Sequence, residues 1–393
     1  MRKLLMIGIV FLMLTATAYA QEFMFGEETK GLKVKISDDT DITTRIRLQP
    51  RFDLGDMATG EDKKSYESET DIYIRRIRLE FGGQLVQDLK YSLIFEADKN
   101  GKFASSSGSP TNEVKIQYAN IDYKFDELFN LRFGKAKLPY SRVSLTSSSK
   151  QLTVDRPAST EAAKKLFDDY YQSHLVLHGK ASEGIFTYNL ALGDGWEPNS
   201  TIHSGTPATT VHKSGPLYIA RVEISPPGWI EKSQSDAHLG NGKHLTIGAD
   251  YAAQQGIEYK GNNYEEDRTL TGFDISGHWN AITGQFEYNT WKEEYTDPSK
   301  SDKEPNGWYV QAGYFVQGPN IEPVVRYEIF DQDSNSDDKE EKTTTLGVNW
   351  YGKGHSFKVG MNWAHTEYDK NASGYLSDDD KKDVYQVQAQ LYF

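Results

Sequence analysis

Six arginines in the first quarter of the chain stand where their guanidinium groups could bind an oxyanion. They are Arg45, Arg47, Arg51, Arg75, Arg76 and Arg78. A guanidinium group matches the oxygens of a phosphate-like anion with two parallel hydrogen bonds. Because even spacings recur within each segment, an extended chain would place most of these residues on one face. The spacing predicts an anion-binding track, and the alternative is a solvated face on which each arginine is paired with an acid.

The segment 129–157 begins as a strand and then changes character. Phe129, Leu131 and Phe133 alternate with polar residues, whereas Pro139 and many Ser and Thr residues interrupt the pattern afterwards. The basic residues of the segment include Arg132, Lys135, Lys137, Arg142 and Lys150. Proline removes a ladder hydrogen bond and so ends a strand. We predict a long basic loop that folds into a pore and narrows it, and the alternative is a surface loop or a contact between subunits.

The elements that must position these residues are strands, because apolar and polar residues alternate along much of the chain. Sixteen candidate strands lie near 42–54, 72–82, 89–98, 114–125, 129–135, 173–180, 185–193, 216–225, 244–253, 268–279, 282–292, 307–317, 321–330, 342–351, 355–367 and 384–393. The alternation changes phase before Arg75, which predicts a bulge. Residues 158–169 form the one candidate helix.

The connections between these strands predict how the strands are arranged. Short ones at 180–185, 279–282, 317–321 and 351–355 alternate with long polar ones at 226–243, 293–306, 331–341 and 368–383. We therefore predict an all-β fold, a transmembrane antiparallel up-and-down β-barrel of sixteen strands. Such a barrel is wide enough for a water channel, so a loop folded into its lumen is needed if the pore is to discriminate. The last candidate strand ends on Phe393 and can pair with the first, which would leave no open edge in lipid.

Composition agrees with a barrel and excludes a helical membrane protein. Apolar residues make up 37% of the chain, yet 24 Tyr, 18 Phe and 7 Trp are too many aromatic residues for a disordered chain. After the N-terminal apolar run, no stretch approaches the ~20 apolar residues that a membrane helix needs. In a barrel only alternate residues face lipid, so the average composition stays polar.

The N-terminus is typical of an exported protein. Arg2 and Lys3 precede an apolar run at 4–14, and small residues end at Ala20. We predict a signal peptide at 1–20, an N-terminal segment at 21–40 and a single barrel domain at 41–393, located in the outer membrane of a Gram-negative cell. No linker suggests a second domain, and the chain contains no cysteine, so disulfides do not stabilise it.

The net charge of −13 is unevenly distributed. Lys and Arg number 19 against 17 Asp and Glu between Asp41 and Arg156, whereas the remainder has 25 against 40. The basic balance is confined to the part predicted to line and narrow the pore. Five acids fall on the predicted lumen face, where each would lower the positive potential: Glu80, Glu96, Glu287, Glu322 and Glu328. A general, weakly selective diffusion channel is therefore the alternative to an anion channel.

Six blocks of sequence point to a family. They are IRRIRLEFGG at 74–83, LKYSLIFEAD at 89–98, YANIDYKF at 118–125, LRFGKAKLPYS at 131–141, LTSSSKQLTVDRP at 145–157 and QVQAQLYF at 386–393. In this order and spacing they resemble the phosphate-selective porin O/P family of Gram-negative outer membranes. The resemblance implies a homotrimer of sixteen-stranded barrels with lumenal arginines and a lysine constriction. By motif position it assigns these roles to Arg75, Arg76, Arg78 and Lys137.

The expected partners follow from this interpretation. We expect small anions, with phosphate as the candidate solute, outer-membrane lipid and lipopolysaccharide, and further copies of the same chain, but no nucleic acid. His174 and His178 share a strand face but lack a third metal ligand. Residues 331–337 imitate the start of a calcium loop, although Ser336 replaces the turn glycine. We predict no metal site, no cofactor and no catalytic residue, and a secreted soluble β-sandwich that binds carbohydrate is the alternative fold.

Overall fold

Strands dominate the computed structural model, which describes residues 31–59, 64–102, 113–202, 209–261 and 265–393. Residues 1–20, predicted to be a signal peptide, and residues 21–30 lie outside the described residues, so the predicted division of the chain stays a prediction. The first described strand, β1 (Leu32–Lys35), pairs antiparallel with the beginning of β2 (Asp41–Thr59). Within the described residues, no helix is both long and apolar enough to cross a bilayer.

Sixteen strands build the wall of a barrel. The first eight are β2, β3 (Tyr66–Val86), β4 (Leu89–Asn100), β5 (Val114–Lys124), β6 (Asn130–Lys137), β7 (Tyr171–Ala181), β8 (Phe186–Gly193) and β11 (Leu217–Ile224). The last eight are β12 (Lys243–Tyr259), β13 (Glu265–Trp279), β14 (Ile282–Tyr295), β15 (Asn306–Tyr314), β16 (Ile321–Asp331), β17 (Glu340–Lys353), β18 (Phe357–Tyr368) and β19 (Lys381–Tyr392). Between β8 and β11, β9 (Thr201–Ile202) and β10 (Thr209–Lys213) form a small hairpin. Each of the sixteen predicted strands overlaps one wall strand, so the predicted strand number is confirmed.

The wall closes because the last strand pairs with the first. Val384 of β19 lies opposite Gly55 of β2, and Tyr392 lies opposite Arg47. The Ile46 N–H donates to the Phe393 carbonyl at 2.7 Å, which extends the pairing to the end of the chain. A closed antiparallel sheet satisfies its backbone hydrogen bonds internally, as a lipid environment requires. The predicted barrel is confirmed, and the β-sandwich alternative is wrong.

Along each strand the side chains alternate between a polar interior and an apolar exterior. In β13, Asp274 and Ser276 are buried inside, whereas Phe273 and Ile275 are exposed on the outer face. Successive side chains of a strand point to opposite faces, so this inversion of the usual soluble pattern follows directly from the sequence. An apolar outer band around a polar lumen is the arrangement of a transmembrane barrel.

The predicted irregularity near Arg75 is a bulge. Gln49 lies opposite Arg76 and Pro50 lies opposite Ile74, which leaves Arg75 as the extra residue of β3. Proline lacks an N–H, so Pro50 cannot take part in an uninterrupted ladder at this point. The bulge resets the phase of β3, and both Arg76 and Arg78 are then buried on the inner face.

One connection lies on the opposite rim from its predicted position. The loop 225–242, hereafter the rim loop, follows the eighth wall strand and lies on the rim of the short turns, where the Ser225 N–H donates to Ile185 O and the Asn280 N–H donates to Gly242 O. Its length groups it with the long loops, but the strand order places it on the short-turn side. The rim loop therefore enters the barrel from that side.

A second loop fills much of the lumen. It spans residues 138–170, hereafter the lumenal loop, and contains the helices α1 (Arg142–Leu145) and α2 (Ala158–Ala163). The helix predicted over 158–169 is shorter than expected, because α2 ends at Ala163 and turns follow it at 164–167. Leu138, Tyr140 and Phe167 are fully buried and pack against apolar residues that the wall turns inward, such as Leu217 and Leu270. This apolar contact holds the predicted loop inside the barrel.

Candidate functional site in the barrel lumen

The arginines of β2 and β3 form two adjacent inward rows. Arg47 and Arg51 on β2 and Arg76 and Arg78 on β3 are all less than a tenth exposed. Arg47 lies directly opposite Arg78 in the pairing of the two strands. Arg45 lies one step nearer the short-turn rim, opposite Glu80, and is half-buried. The two strands thus concentrate positive charge on one side of the lumen.

Carboxylates predicted on the lumen face pair with several of these arginines. Arg47 Nη2 lies 2.9 Å from Glu80 Oε1, and Arg76 Nε lies 2.9 Å from Glu96 Oε2. Arg78 also pairs with Glu96, and Arg75 pairs with Asp98. A buried charge is costly unless it is paired, so these acids allow the arginine rows to be desolvated. The same acids reduce the positive potential that a permeating anion would meet.

Arg51 joins the wall to the lumenal loop. Its two terminal nitrogens donate to both oxygens of Asp155 at 2.7 and 2.6 Å, and its Nε donates to Asp53 at 2.7 Å. Burial alone would raise the pKa of Asp155, but the charge of Arg51 and its hydrogen bonds hold that pKa well below its usual range. The Asp155 carboxylate therefore stays ionised and anchors the loop to β2 throughout the physiological pH range.

Two of the predicted constriction cations hold the lumenal loop in shape. Lys137 Nζ donates to the carbonyls of Ser144, Leu145 and Thr146 at 2.6, 2.9 and 3.2 Å. Arg142 is buried and donates to both oxygens of Glu231 on the rim loop at 3.0 and 2.8 Å. Both cations are thus committed to contacts between and within loops. The sequence pattern identified their charge but not this structural role.

The other predicted cations lie apart from this group. Arg132 on β6 pairs with Asp122, with its Nη2 2.7 Å from that carboxylate. Lys135 lies 4.0 Å from Asp169 and is partly exposed. Lys150 donates to Ser233 Oγ at 2.7 Å, at an exposed contact between the lumenal loop and the rim loop. The structure therefore does not bring all of the predicted site residues together.

The predicted lumenal acids of the second half also have structural partners. Glu287 accepts hydrogen bonds from Ser141 Oγ at 2.5 Å and from the Val143 N–H at 3.0 Å. These two bonds hold the start of α1 in position. Glu322 accepts one from Tyr351 at 2.5 Å, and Glu328 lies 3.1 Å from Arg326. These acids stabilise the loop and the wall, and their inward orientation follows the predicted alternation.

A cavity of about 220 Å³ lies between the arginine rows and the lumenal loop, and we call it the basic cavity. Its charged lining residues are Arg51, Arg75, Arg76, Lys99, Lys102, Arg156, Asp155 and Glu161. Six cations thus face two carboxylates. Glu96 and Asp98, which pair with Arg76 and Arg75, are not among the lining residues. Burial would raise the pKa of Glu161, but Lys164 and Arg156 lower it overall, so this acid also stays ionised.

Sequence reasoning missed two lysines of the basic cavity. Lys99 is the second-to-last residue of β4 and Lys102 lies just beyond the strand, and Lys99 has a positive φ of 54° that turns the chain at this point. A lysine at the end of a strand, where such a turn interrupts the alternation, can point inward or outward, so the alternation alone does not assign it. Their position at the end of a strand next to the arginine row was the available signal.

A second lumenal cavity, of about 200 Å³, adjoins the basic cavity at Asp155 and Arg156. Its charged lining residues are Arg156, Arg326, Lys382, Asp155, Glu328 and Glu341. Three cations face three acids, so we call it the balanced cavity. Here all three acids belong to the lining and balance its cations.

Solved structures of porins share the architecture of this chain. The anion-selective porin from Comamonas acidovorans superposes with a TM-score of 0.60 and 13% identity, over 90% of this chain and 99% of that one. OmpF of Salmonella typhi, solved with daunomycin, superposes with a TM-score of 0.60 and 12% identity, over 92% and 100%. At this identity the likeness shows the fold alone. A closed sixteen-stranded barrel with an inward loop is the fold that this chain shares with these porins, and a porin family model that matches residues 44–393 makes the protein a channel and not an enzyme.

Sequence comparison identifies the family. The family model described as phosphate-selective porin O and P matches residues 44–393. An uncharacterized protein of Aquifex aeolicus is 35% identical over 389 residues, which cover 93% of this chain and 91% of that protein. Porin O of Pseudomonas aeruginosa is 21% identical over 409 residues, which cover 90% and 89%. The chain belongs to the phosphate-selective porin O and P family, and the predicted family is confirmed.

Proposed function

We propose that the channel passes small anions by passive diffusion, and that the basic cavity is the part of the lumen that favours anions over cations. The observation that carries the proposal is the lining of this cavity by six cations and two carboxylates. At an effective dielectric constant of about 20, one unit of net charge about 6 Å from a permeating ion is worth about 3 kcal/mol before salt screening. The net charge of the lining therefore governs selectivity more than the number of arginines in the wall.

Phosphate and related oxyanions are the solutes that we propose. Arg75 and Arg76 supply guanidinium groups, which match tetrahedral oxyanions two oxygens at a time, and Lys99 and Lys102 supply compact, mobile charges. The description of the family names phosphate, and the Comamonas protein of similar fold is described as anion-selective. Both facts support the same class of solute.

A general, weakly selective channel is the second candidate function. It is favoured by the carboxylates that pair with the arginine rows, since Glu96 and Asp98 neutralise much of the charge of Arg75, Arg76 and Arg78. Under this alternative the lumen would prefer chloride over potassium only slightly. Phosphate would then pass without occupying a site.

Reconstitution in planar bilayers tests the proposal. We expect the reversal potential in a KCl gradient to have the sign of chloride permeation, and we expect added phosphate to reduce the chloride current in a saturable manner. Lys213→Gln is the matched control, because Lys213 is exposed at the long-loop end, pairs with Glu258 and lies outside both cavities. A cation-selective reversal potential would overturn the anion assignment, and an unsaturable phosphate effect would support the weakly selective channel.

We also propose that the channel assembles as a homotrimer embedded in outer-membrane lipid and lipopolysaccharide, after export by the predicted signal peptide. OmpT of Vibrio cholerae, which is similar in fold with a TM-score of 0.52 and 12% identity, is described in a trimer form. Light scattering of the protein in detergent, corrected for bound detergent, measures the number of chains. A mass of one or two chains would contradict the trimer without affecting the proposed selectivity.

A further inference from the structure

Three histidines meet where the rim loop contacts the wall. His238 belongs to the rim loop, His244 is the second residue of β12, and His278 lies directly opposite His244 on β13. The His238 and His278 rings are stacked with centroids 3.7 Å apart, and the other two ring pairs are 4.7 Å apart. We call this group the histidine cluster. We propose that the histidine cluster binds a divalent transition metal ion such as Zn²⁺.

The donor atoms already converge. Each of the three rings offers one nitrogen, and these nitrogens all lie within 4.8 Å of one another. Tetrahedral zinc bound to imidazole at 2.0–2.1 Å holds its ligand nitrogens about 3.3 Å apart. The Nδ1 atoms of His244 and His278 are 2.5 Å apart, so small rotations of these rings would admit an ion.

The outer nitrogens of two rings are oriented as in metal sites. His278 Nε2 lies 2.9 Å from the Asn241 carbonyl oxygen, and His244 Nε2 lies 3.1 Å from Ser276 Oγ. A metal-binding histidine typically uses its second nitrogen in this way, which fixes the ring and directs the first nitrogen at the ion. The buried Nε2 of His238 has no hydrogen-bond partner among the described residues, so a ligand for it is missing.

The carboxylate of Glu231 lies near two of the three rings. Glu231 Oε1 lies 3.8 Å from His238 Nε2 and 4.0 Å from His244 Nε2. Its oxygens already accept hydrogen bonds from Arg142 and from the Ser235 N–H, so the fourth position on the ion is left to a water molecule, while the nearby carboxylate charge would offset part of the charge of the ion. Three imidazoles suit zinc, copper or nickel, whereas magnesium and calcium prefer oxygen ligands alone.

An ion here would connect the two loops to the wall. The rim loop carries His238 as well as Glu231, and Glu231 pairs with Arg142 of the lumenal loop. The Asp236 and Ala237 N–H groups donate to Lys150 O of the same loop at 3.0 and 3.1 Å. The ion would tie the rim loop to β12 and β13 and, through these contacts, stabilise the lumenal loop. The inference concerns a site separate from the basic cavity and does not depend on the solute.

Cobalt binding to the full-length folded protein in detergent tests the site. After removal of metal by a chelator, Co²⁺ titrated into wild type should give the visible absorption of a four-coordinate site at one ion per chain, and Zn²⁺ should displace it. His238→Gln and His278→Gln should weaken Co²⁺ binding at least tenfold, since each removes a ligand. His178→Gln is the matched control, because His178 contacts Asp122 outside the cluster and should bind Co²⁺ as wild type does.

The folding of each variant is checked by the change in its gel mobility on heating. Co²⁺ binding is then compared among folded proteins only. If folded wild type gives no such absorption at excess Co²⁺, the proposal is wrong whatever the variants do. Binding that is retained in both His238→Gln and His278→Gln would also overturn it, because the ion would then lie elsewhere. Zn²⁺ should raise the unfolding temperature of wild type and of His178→Gln, but not that of His278→Gln.

Discussion

The basic cavity and the balanced cavity share Asp155 and Arg156 and both use the lumenal loop as a wall, yet they differ in charge. In the basic cavity the acids that pair with Arg75 and Arg76 are not among the lining residues, so the lining is mostly cationic. In the balanced cavity Glu328 and Glu341 line the space themselves. Both regions carry arginine–carboxylate pairs, and they differ in how many of the paired acids belong to the lining and so in its net charge.

The largest effect should come from reversing two charges of the basic cavity. In Arg75→Glu combined with Lys102→Glu, four cations would face four acids, as in a balanced cavity. The double change alters the lining by four units of charge. With salt screening reducing each unit to about 1 kcal/mol, we expect the ratio of anion to cation permeability to fall at least about a hundredfold. Reversal potentials in a KCl gradient measure the ratio. An unchanged ratio would show that ions do not follow this cavity.

The next largest effect should come from loosening the wall that both cavities share. Phe167→Ala removes a fully buried aromatic side chain from the apolar contact between the lumenal loop and the barrel. Such a truncation costs about 3–5 kcal/mol, so we expect the loop to leave its position in part of the population. Single-channel recordings should then show a larger and noisier conductance with weaker selectivity. A conductance equal to that of wild type would mean that other contacts suffice to hold the loop.

A smaller effect should follow from a substitution of Asp155, which lines both cavities. Asp155→Asn removes one acid from both linings and, because the amide keeps only one acceptor oxygen, breaks one of the two hydrogen bonds from Arg51 to the loop. Because the Asp155 side chain is 46% exposed, we expect a loss of about 1–3 kcal/mol in stability together with a modest rise in anion selectivity. Chemical unfolding measures the first quantity and reversal potential the second. A fall in anion selectivity would indicate that the position of the loop matters more than its charge.

The smallest effect should come from the balanced cavity alone. Glu341→Gln removes one lining acid there and leaves the basic cavity unchanged. We expect the permeability ratio to shift toward anions by less than about twofold, because the cationic lining of the basic cavity, and not the balanced cavity, supplies the selective potential. The comparison with Lys213→Gln sets the experimental error. A shift as large as that of the double reversal would contradict the distinction between the two cavities.

Three features that the sequence pattern does not decide share one cause. The length of the rim loop groups it with the long loops, although counting wall strands assigns it to the short-turn rim, because it follows the eighth strand. The family motif assigns Lys137 to the constriction, and the pattern does not show that its Nζ donates to three backbone carbonyls of the lumenal loop. The histidine cluster joins residues six and forty positions apart in the chain. All three depend on contacts between elements and not on the pattern within one element.

The sequence by itself determined the sixteen strands, the face on which each side chain lies, the family and the presence of a basic inward loop. These features follow from a period of two residues, which is a local property that each strand expresses without reference to its neighbours. Only the tertiary structure decided which acid neutralises which arginine, because the bulge at Arg75 and the register of β2, β3 and β4 place Glu96 between Arg76 and Arg78. It also decided that Lys99, Lys102 and Arg156 face one cavity, since strand ends and loops have no periodicity that fixes their direction.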